Sequence, residues 1–376
     1  MELQQLDSPV SAAETVLRVE RLTKPADVLA LADVAGPLLA RFPATQGPRF
    51  FLASLTPEQW APYVLVIRQG NEIVGVVYLK ERKIGVLRTG VVFSDATLGY
   101  QILCDEEQRR AVMDAALRFL LTAKRVRGVR LMAPSDGVVV AAARRAAAWT
   151  GAEMTSGPLQ YHWLIPLGTD YDQFVESLSY KARRNLRAAR RRLESAGHQY
   201  VDRLDFVEFK EAAYGLLKKS VVGGDLEGVE RAIRIFSEVD RPILVGLRHR
   251  DGELMAILGG WQGEDHPIVF FQMNNEHDYR TACLSQVLRG YLIERLIEQR
   301  HRGLLFWAGL AGPLARISSP VECTSVYLDN RSPGWATLRS LCKMLSPHLP
   351  RRLSWMAEWI TIPPPAPCSP DIETLS

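Results

Sequence analysis

The chain has 376 residues, of which 47% are hydrophobic and 23% charged, and a formal net charge of +4. That composition belongs to a folded globular protein long enough for two cores, and it excludes a disordered or fibrous chain. Lys181, Arg183, Arg184, Arg187, Arg190, Arg191 and Arg192 alone carry +7, so the rest of the chain sums to −3 and a generally cationic, nucleic-acid-coating surface is excluded as well.

The first fourteen residues, MELQQLDSPVSAAE, place acids where a secretory leader needs a basic region, and read as a flexible N-terminus. Regular structure is expected from Thr15 to Glu20, followed by an apolar helix over Ala26–Arg41 that Pro43 and Gly47 end. Thr56–Trp60 has the form of a capped helix start, with Pro57 at the first helical position. From Val64 to Lys80 the β-branched residues around Gln69-Gly70-Asn71 predict a β-hairpin. An amphipathic helix over Glu106–Arg127, closed by Gly128, leads into a strand at Val129–Ala133.

The same order returns downstream. Ile243–Gln262 predicts a second hairpin, Pro267–Met273 another strand, Leu284–Gln299 a helix closed by Gly303, and Leu304–Ala308 a final strand. The elements repeat at an offset of about 175 to 181 residues, which points to a duplicated α/β module. The expected division is a domain over 15–165 and a second over 166–350. Trp335–Leu345 suggests a further helix, and the Pro-rich stretch 361–376 reads as an extended tail.

Between the two units lies SYKARRNLRAARRRLESAG, Ser179 to Gly197. A hydroxyl cap at Ser177 or Ser179 and a closing Gly197 bound a helix of about five turns. Leu178, Ala182, Leu186, Ala189, Leu193 and Ala196 form its apolar stripe, so one face docks on a core and the basic residues cover the rest. Lys181, Arg183, Arg184, Arg187 and Arg190 are its candidate anion-binding residues, because guanidinium forks match phosphate and a run of like charges is relieved by an anion. A plain solvated face is the competing account.

This phrase, ending in Leu-Glu-x-x-Gly, resembles the signature helix of the CelD or BioF-like acetyltransferase domain, a relative of the GNAT acyltransferases. The resemblance runs over residues 155–310, through the second hairpin, FFQMNNEHDYRTACLSQVL and LLFWAGL. The first unit resembles the divergent GNAT-like half found in the same proteins and in the FemAB aminoacyl transferases. What the resemblance implies is a tandem GNAT-like fold with mixed sheets and transfer of an acyl group from acetyl-CoA or another acyl-CoA to an amine. The CoA is then a co-substrate, with no tightly bound cofactor. It also implies a donor site built from the strand edge Phe271, Gln272 and Met273 and the turn Arg280, Ala282, Cys283, Leu284 and Ser285, where free helix N–H groups favour an anion. Relatives carry Ser-Pro-Gly where Ala282, Cys283 and Leu284 stand, and a charged Tyr-Lys stretch where this chain reads Gly309–Pro320.

Phosphate-loop, dinucleotide, zinc-protease and nucleophile-elbow motifs are absent. Five scattered cysteines without C-x-x-C spacing argue against a disulfide framework and a metal site, in keeping with a reducing cytoplasm. Glu264, Glu276 and Asp278 are candidate bases and Tyr327 a candidate acid, with no spacing that selects among them, so the catalytic residues stay open. Three functions stay open too: a CoA-dependent acyltransferase acting on a small amine, with a surface polysaccharide as one setting; an aminoacyl-tRNA-dependent transferase; and a non-catalytic adaptor for an anionic polymer.

Overall fold

The computed structural model describes residues 17–94, 102–134, 137–220, 225–279, 282–307, 310, 312–329 and 344. The described residues fall into two compact units, one made of residues up to 160 together with those from 322 onward, the other of residues 161–321. The flexible N-terminus, the helix at Trp335–Leu345 (Met344 apart), the tail at 361–376 and the site residue Arg280 lie outside the described residues.

In the first unit, β1 (Leu17–Leu22) is followed by α1 (Pro25–Leu29), α2 (Leu31–Val34), α3 (Gly36–Leu39) and α4 (Pro48–Ser54). Where one helix was expected over Ala26–Arg41, three short ones stand. Val28, Leu31, Ala35 and Leu38 are buried at helical spacing, but Ala35 leaves the helical region at φ −106° and ψ 13°, and Pro37 has no N–H to carry the ladder on. Nor does Thr56–Trp60 start a helix. Its residues make a turn, closed by Trp60 N–H on Thr56 O at 2.8 Å, because Trp60 is claimed by the sheet, where it pairs with Arg82.

The sheet continues with β2 (Trp60–Gln69), β3 (Glu72–Ile84), β4 (Leu87–Phe93) and β5 (Ile102–Cys104). The predicted hairpin is β2 and β3, antiparallel with Gln69 opposite Glu72 and Gly70 at φ +61° in the turn. Next come α5 (Arg109–Thr122), β6 (Gly128–Pro134) and α6 (Val138–Thr150). Helix α5 stops short of the expected Arg127, whose backbone N–H goes instead to Gly90 O at 2.8 Å. It crosses from β4 to β6, which run parallel with Val91 beside Gly128.

The second unit is entered through β7 (Glu153–Pro166) and holds α7 (Tyr171–Ser177), α8 (Tyr180–Ser195), β8 (Gln199–Val201), α9 (Phe206–Leu217) and α10 (Leu226–Ser237). Then come β9 (Pro242–Arg248), β10 (Leu254–Gln262), β11 (Pro267–Asn274), α11 (Leu284–Glu298) and β12 (Gly303–Phe306). The second predicted hairpin is β9 and β10, and α11 crosses to β12, which runs parallel to β11. The order of hairpin, helix and parallel strand therefore stands in both units. Strand β13 (Ser319–Asp329) pairs antiparallel with β6, Val326 opposite Leu131. Residues 322–329 thus lie with the first unit rather than inside the expected stretch 166–350.

Helix α8 is the basic helix. The Ser179 hydroxyl accepts the Ala182 N–H at 3.4 Å, and Gly197 turns the chain at φ +79° just past the end. Leu178, Ala182, Leu186, Ala189 and Leu193 are buried as the spacing predicts, whereas Ala196 is exposed past the last turn. The stripe joins α11 through Leu284, Leu288 and Leu292 in one core over Val245, Leu258 and Val269 of the sheet.

Candidate functional site

The site is built where β11 meets α11. Along β11 the register against β10 slips: Gly259 faces Phe271, but the next residue, Gly260, faces Val269. Phe270 is thus an extra residue, a β-bulge. Glycine at 260 is what the bulge requires, since a Cβ there would stand 1.9 Å from the Ile268 carbonyl oxygen. A bulge shifts the side-chain alternation by one. Val269 stays in the α8–α11 core, Phe271 turns edge-on to Phe209 of α9 at 6.1 Å, and Gln272 turns toward α11.

On the other side, among the described residues, β12 pairs with β11 at Ile268–Leu305 and Val269–Phe306, with one further bond from Trp307 N–H to Val269 O at 2.8 Å. Beyond Phe306, the last residue of β12, residues 271–274 continue paired along β10. The start of α11 lies beside this stretch, Gln272 being tied to Ser285.

That start is unusual. Cys283 caps α11 with φ +51° and ψ 45°, the left-handed region that a residue with a Cβ avoids, and its side chain makes no cap bond. The amides of Gln286 and Val287 both go to Cys283 O, at 3.0 and 3.1 Å. Those of Leu284 and Ser285 find no acceptor among the described residues.

Under this helix end lies a polar cluster. The Arg289 Nε–H donates to Gln272 Oε1 at 2.7 Å, and its guanidinium sits 5.2 Å from the centre of the Phe306 ring. Gln272 Nε2 donates to Ser285 Oγ and to Asn274 Oδ1, both at 3.1 Å. Burial pushes the Arg289 pKa down to about 10, against the pull of the Glu276 carboxylate. Among the described residues, no carboxylate stands within ion-pair distance of Arg289.

Of the expected donor residues, the structure brings Gln272 and Ser285 into direct contact and sets Ala282, Cys283 and Leu284 at the same helix end. Met273 is fully buried and paired with Ile257 of β10, so it offers no exposed atom to a ligand. Glu276 and Asp278 occupy the turn after β11, where Asp278 Oδ2 is tied to Asn275 Nδ2 at 3.1 Å. Glu264 lies at the opposite end of the strand, and Tyr327 lies on β13 in the first unit. Sequence reasoning missed Arg289 and Asn274; the signal for Arg289 was a cation among the apolar residues Leu288, Leu292 and Ile293 of the helix.

The basic helix behaves differently. Arg183 and Arg187 share the Glu176 carboxylate, Arg187 at 3.3 Å. Arg190 is held by Glu194 at 2.9 Å and by Glu294 at 2.8 Å, with its guanidinium 4.2 Å from the Tyr291 ring centre. Lys181 and Arg184 are exposed and have no such partner among the described residues.

No family model and no curated protein matches this chain. Solved structures do. FemX superposes with a TM-score of 0.53 at 11% identity, over 77% of this chain and 92% of FemX. The chain has a GNAT-like fold. A conserved protein of unknown function from Bacteroides thetaiotaomicron matches with a TM-score of 0.50 at 10% identity, over 82% of this chain and 99% of its own. L-PGS from Bacillus licheniformis follows at 0.44 and 14% identity, over 69% of this chain and 82% of its own. Among the described residues, no helix is long and apolar enough to cross a membrane.

Proposed function

We propose that this chain is an N-acyltransferase that moves an acyl group from a CoA thioester to an amine, where β11 meets α11 in the second unit. One observation carries the reading: among the described residues, β12 pairs with β11 at two residue pairs, beside a helix start whose Leu284 and Ser285 amides meet no acceptor. A strand edge suits the amide-bearing arm of CoA, and a helix N-terminus suits its phosphates. The fold shared with FemX and the CelD or BioF-like look of the basic helix support the same class.

In the reaction the amine nitrogen attacks the thioester carbonyl. The C–N bond forms, the C–S bond breaks, the amine gives up a proton and the leaving thiolate gains one. Of the carboxylates on the turn after β11, Asp278 is occupied by Asn275 and Glu276 accepts no hydrogen bond among the described residues. We therefore assign Glu276 as the general base. The test is release of free thiol from acetyl-CoA in the presence of a panel of amines. Turnover by the parent and a fall of about 10²–10⁴-fold in Glu276→Gln supports the assignment. Equal turnover by the variant removes Glu276, and no acyl transfer from any CoA thioester removes the function.

A donor carried on tRNA is the second reading, favoured by the exposed Lys181, Arg184 and Arg191 on one side of α8. It predicts aminoacyl-tRNA binding that weakens steeply with salt.

A further inference from the structure

The cluster beneath α11 has a property that its members do not share singly. A guanidinium can only donate hydrogen bonds, so the Gln272 oxygen must face Arg289 and its NH2 must face Ser285 and Asn274. That choice fixes the others. Asn274 spends its oxygen on Gln272 and keeps its NH2, and Ser285 accepts from Gln272 and keeps its hydroxyl hydrogen. Arg289 keeps its two terminal nitrogens. With the amides of Leu284 and Ser285, which meet no acceptor among the described residues, the cluster presents unspent donors, and Asn274 is only 6% exposed. Among the described residues these donors meet no acceptor, and no carboxylate stands within ion-pair distance of Arg289.

A half-buried guanidinium with no ion-pair partner among the described residues is costly, and the cost is recovered when an acceptor-only group enters. We infer that Arg289, Asn274 and Ser285 form a binding site for the carboxylate of a substrate, so that the acceptor is an amine bearing a carboxylate close to its nitrogen, as an amino acid does. This deepens the acyltransferase reading and rests on it for the word acceptor. A single carboxylate fits better than a phosphate dianion, because the site offers one cation and the Glu276 carboxylate acts on that same cation.

Calorimetry and thermal shift at constant ionic strength test the site without turnover, using acetate, glycine, glycinamide and inorganic phosphate as probes on the full chain. Acetate and glycine should bind the parent and glycinamide should not. Arg289→Gln should weaken glycine binding at least tenfold while melting no lower than the parent, since it removes a half-buried charge with no ion-pair partner among the described residues. If that variant fails to fold, Arg289→Lys keeps the charge but loses the fork, and it should weaken glycine binding to a similar degree. Equal binding of glycine and glycinamide, carboxylate binding that survives both substitutions, or response to phosphate alone would overturn the site. Failure of acyl transfer in the thiol-release assay, with glycine still bound through Arg289, would instead remove the enzyme reading and leave the carboxylate site standing.

Discussion

Arg190 on α8 donates to Glu294 on α11 across 2.8 Å, 104 residues apart in the chain. Its Nε binds Glu194 at 2.9 Å, and the Tyr291 hydroxyl reaches the same Glu194 oxygen at 2.6 Å. The pairing uses Arg190 to join two helices of the core. Arg190→Gln should therefore cost about 1.5–3 kcal/mol of stability through lost charged hydrogen bonds. Exchanging Lys181 and Arg184 together for glutamine should move the melting temperature little. Denaturant titration of the two variants checks this, and equal stability losses would refute the distinction.

The same network sets a pH dependence. The Tyr291 hydroxyl first, and Arg190 second, hold the Glu194 carboxyl below its usual range. A carboxyl lowered in the folded state stabilises it above the unfolded value of about 4.3, and that contribution fades as pH falls through the folded value. The melting-temperature gap between the parent and Glu194→Gln should be full near neutrality and close below about pH 4. Glu194 is half exposed, so the gap corresponds to at most about 1 kcal/mol. A gap that widens in acid would contradict the assignment.

Gly260 makes the bulge possible. A Cβ at that position would meet the Ile268 carbonyl oxygen at 1.9 Å, a backbone atom that cannot step aside alone. Gly260→Ala should destabilise by several kcal/mol, about 2–4, and should weaken any ligand held through Gln272 even where the protein still folds. Unchanged stability would show that the bulge is not required.

At the cap of α11 the strain should be measurable. Cys283 at φ +51° carries a Cβ in the left-handed region, at a cost of about 1–2 kcal/mol. Cys283→Gly should be more stable than Cys283→Ala by about 1 kcal/mol, because only glycine is free of that cost while both remove the thiol. Chemical denaturation of the pair decides it, and an alanine variant at least as stable as the glycine one would contradict the strain.

Much of this was legible from local pattern. Both hairpins, the α8 stripe from Leu178 to Leu193 and the passage from β11 through α11 to β12 follow from periodicity and end signals that each segment carries within itself. What periodicity could not show is what depends on a neighbour. The extra residue at Phe270 appears only against Gly260 of the paired strand, whereas the split of the Ala26–Arg41 helix falls just before Pro37, a signal within the segment itself. The partners of Arg183, Arg187 and Arg190 come from α7 and α11 as well as from α8 itself. Arg289 reads as one more surface cation until the fold sets it against Gln272 and Phe306.

The central claim is that the acyl donor enters between β11 and β12 beside the start of α11. Hydrogen exchange of the full chain with and without CoA, acetyl-CoA, longer acyl-CoAs and aminoacyl-tRNA addresses it directly. The account predicts that at least one CoA species slows exchange in residues 267–274 and 284–289 and leaves β2 to β6 unchanged. Protection confined to the first unit, or no protection by any CoA species, would contradict it.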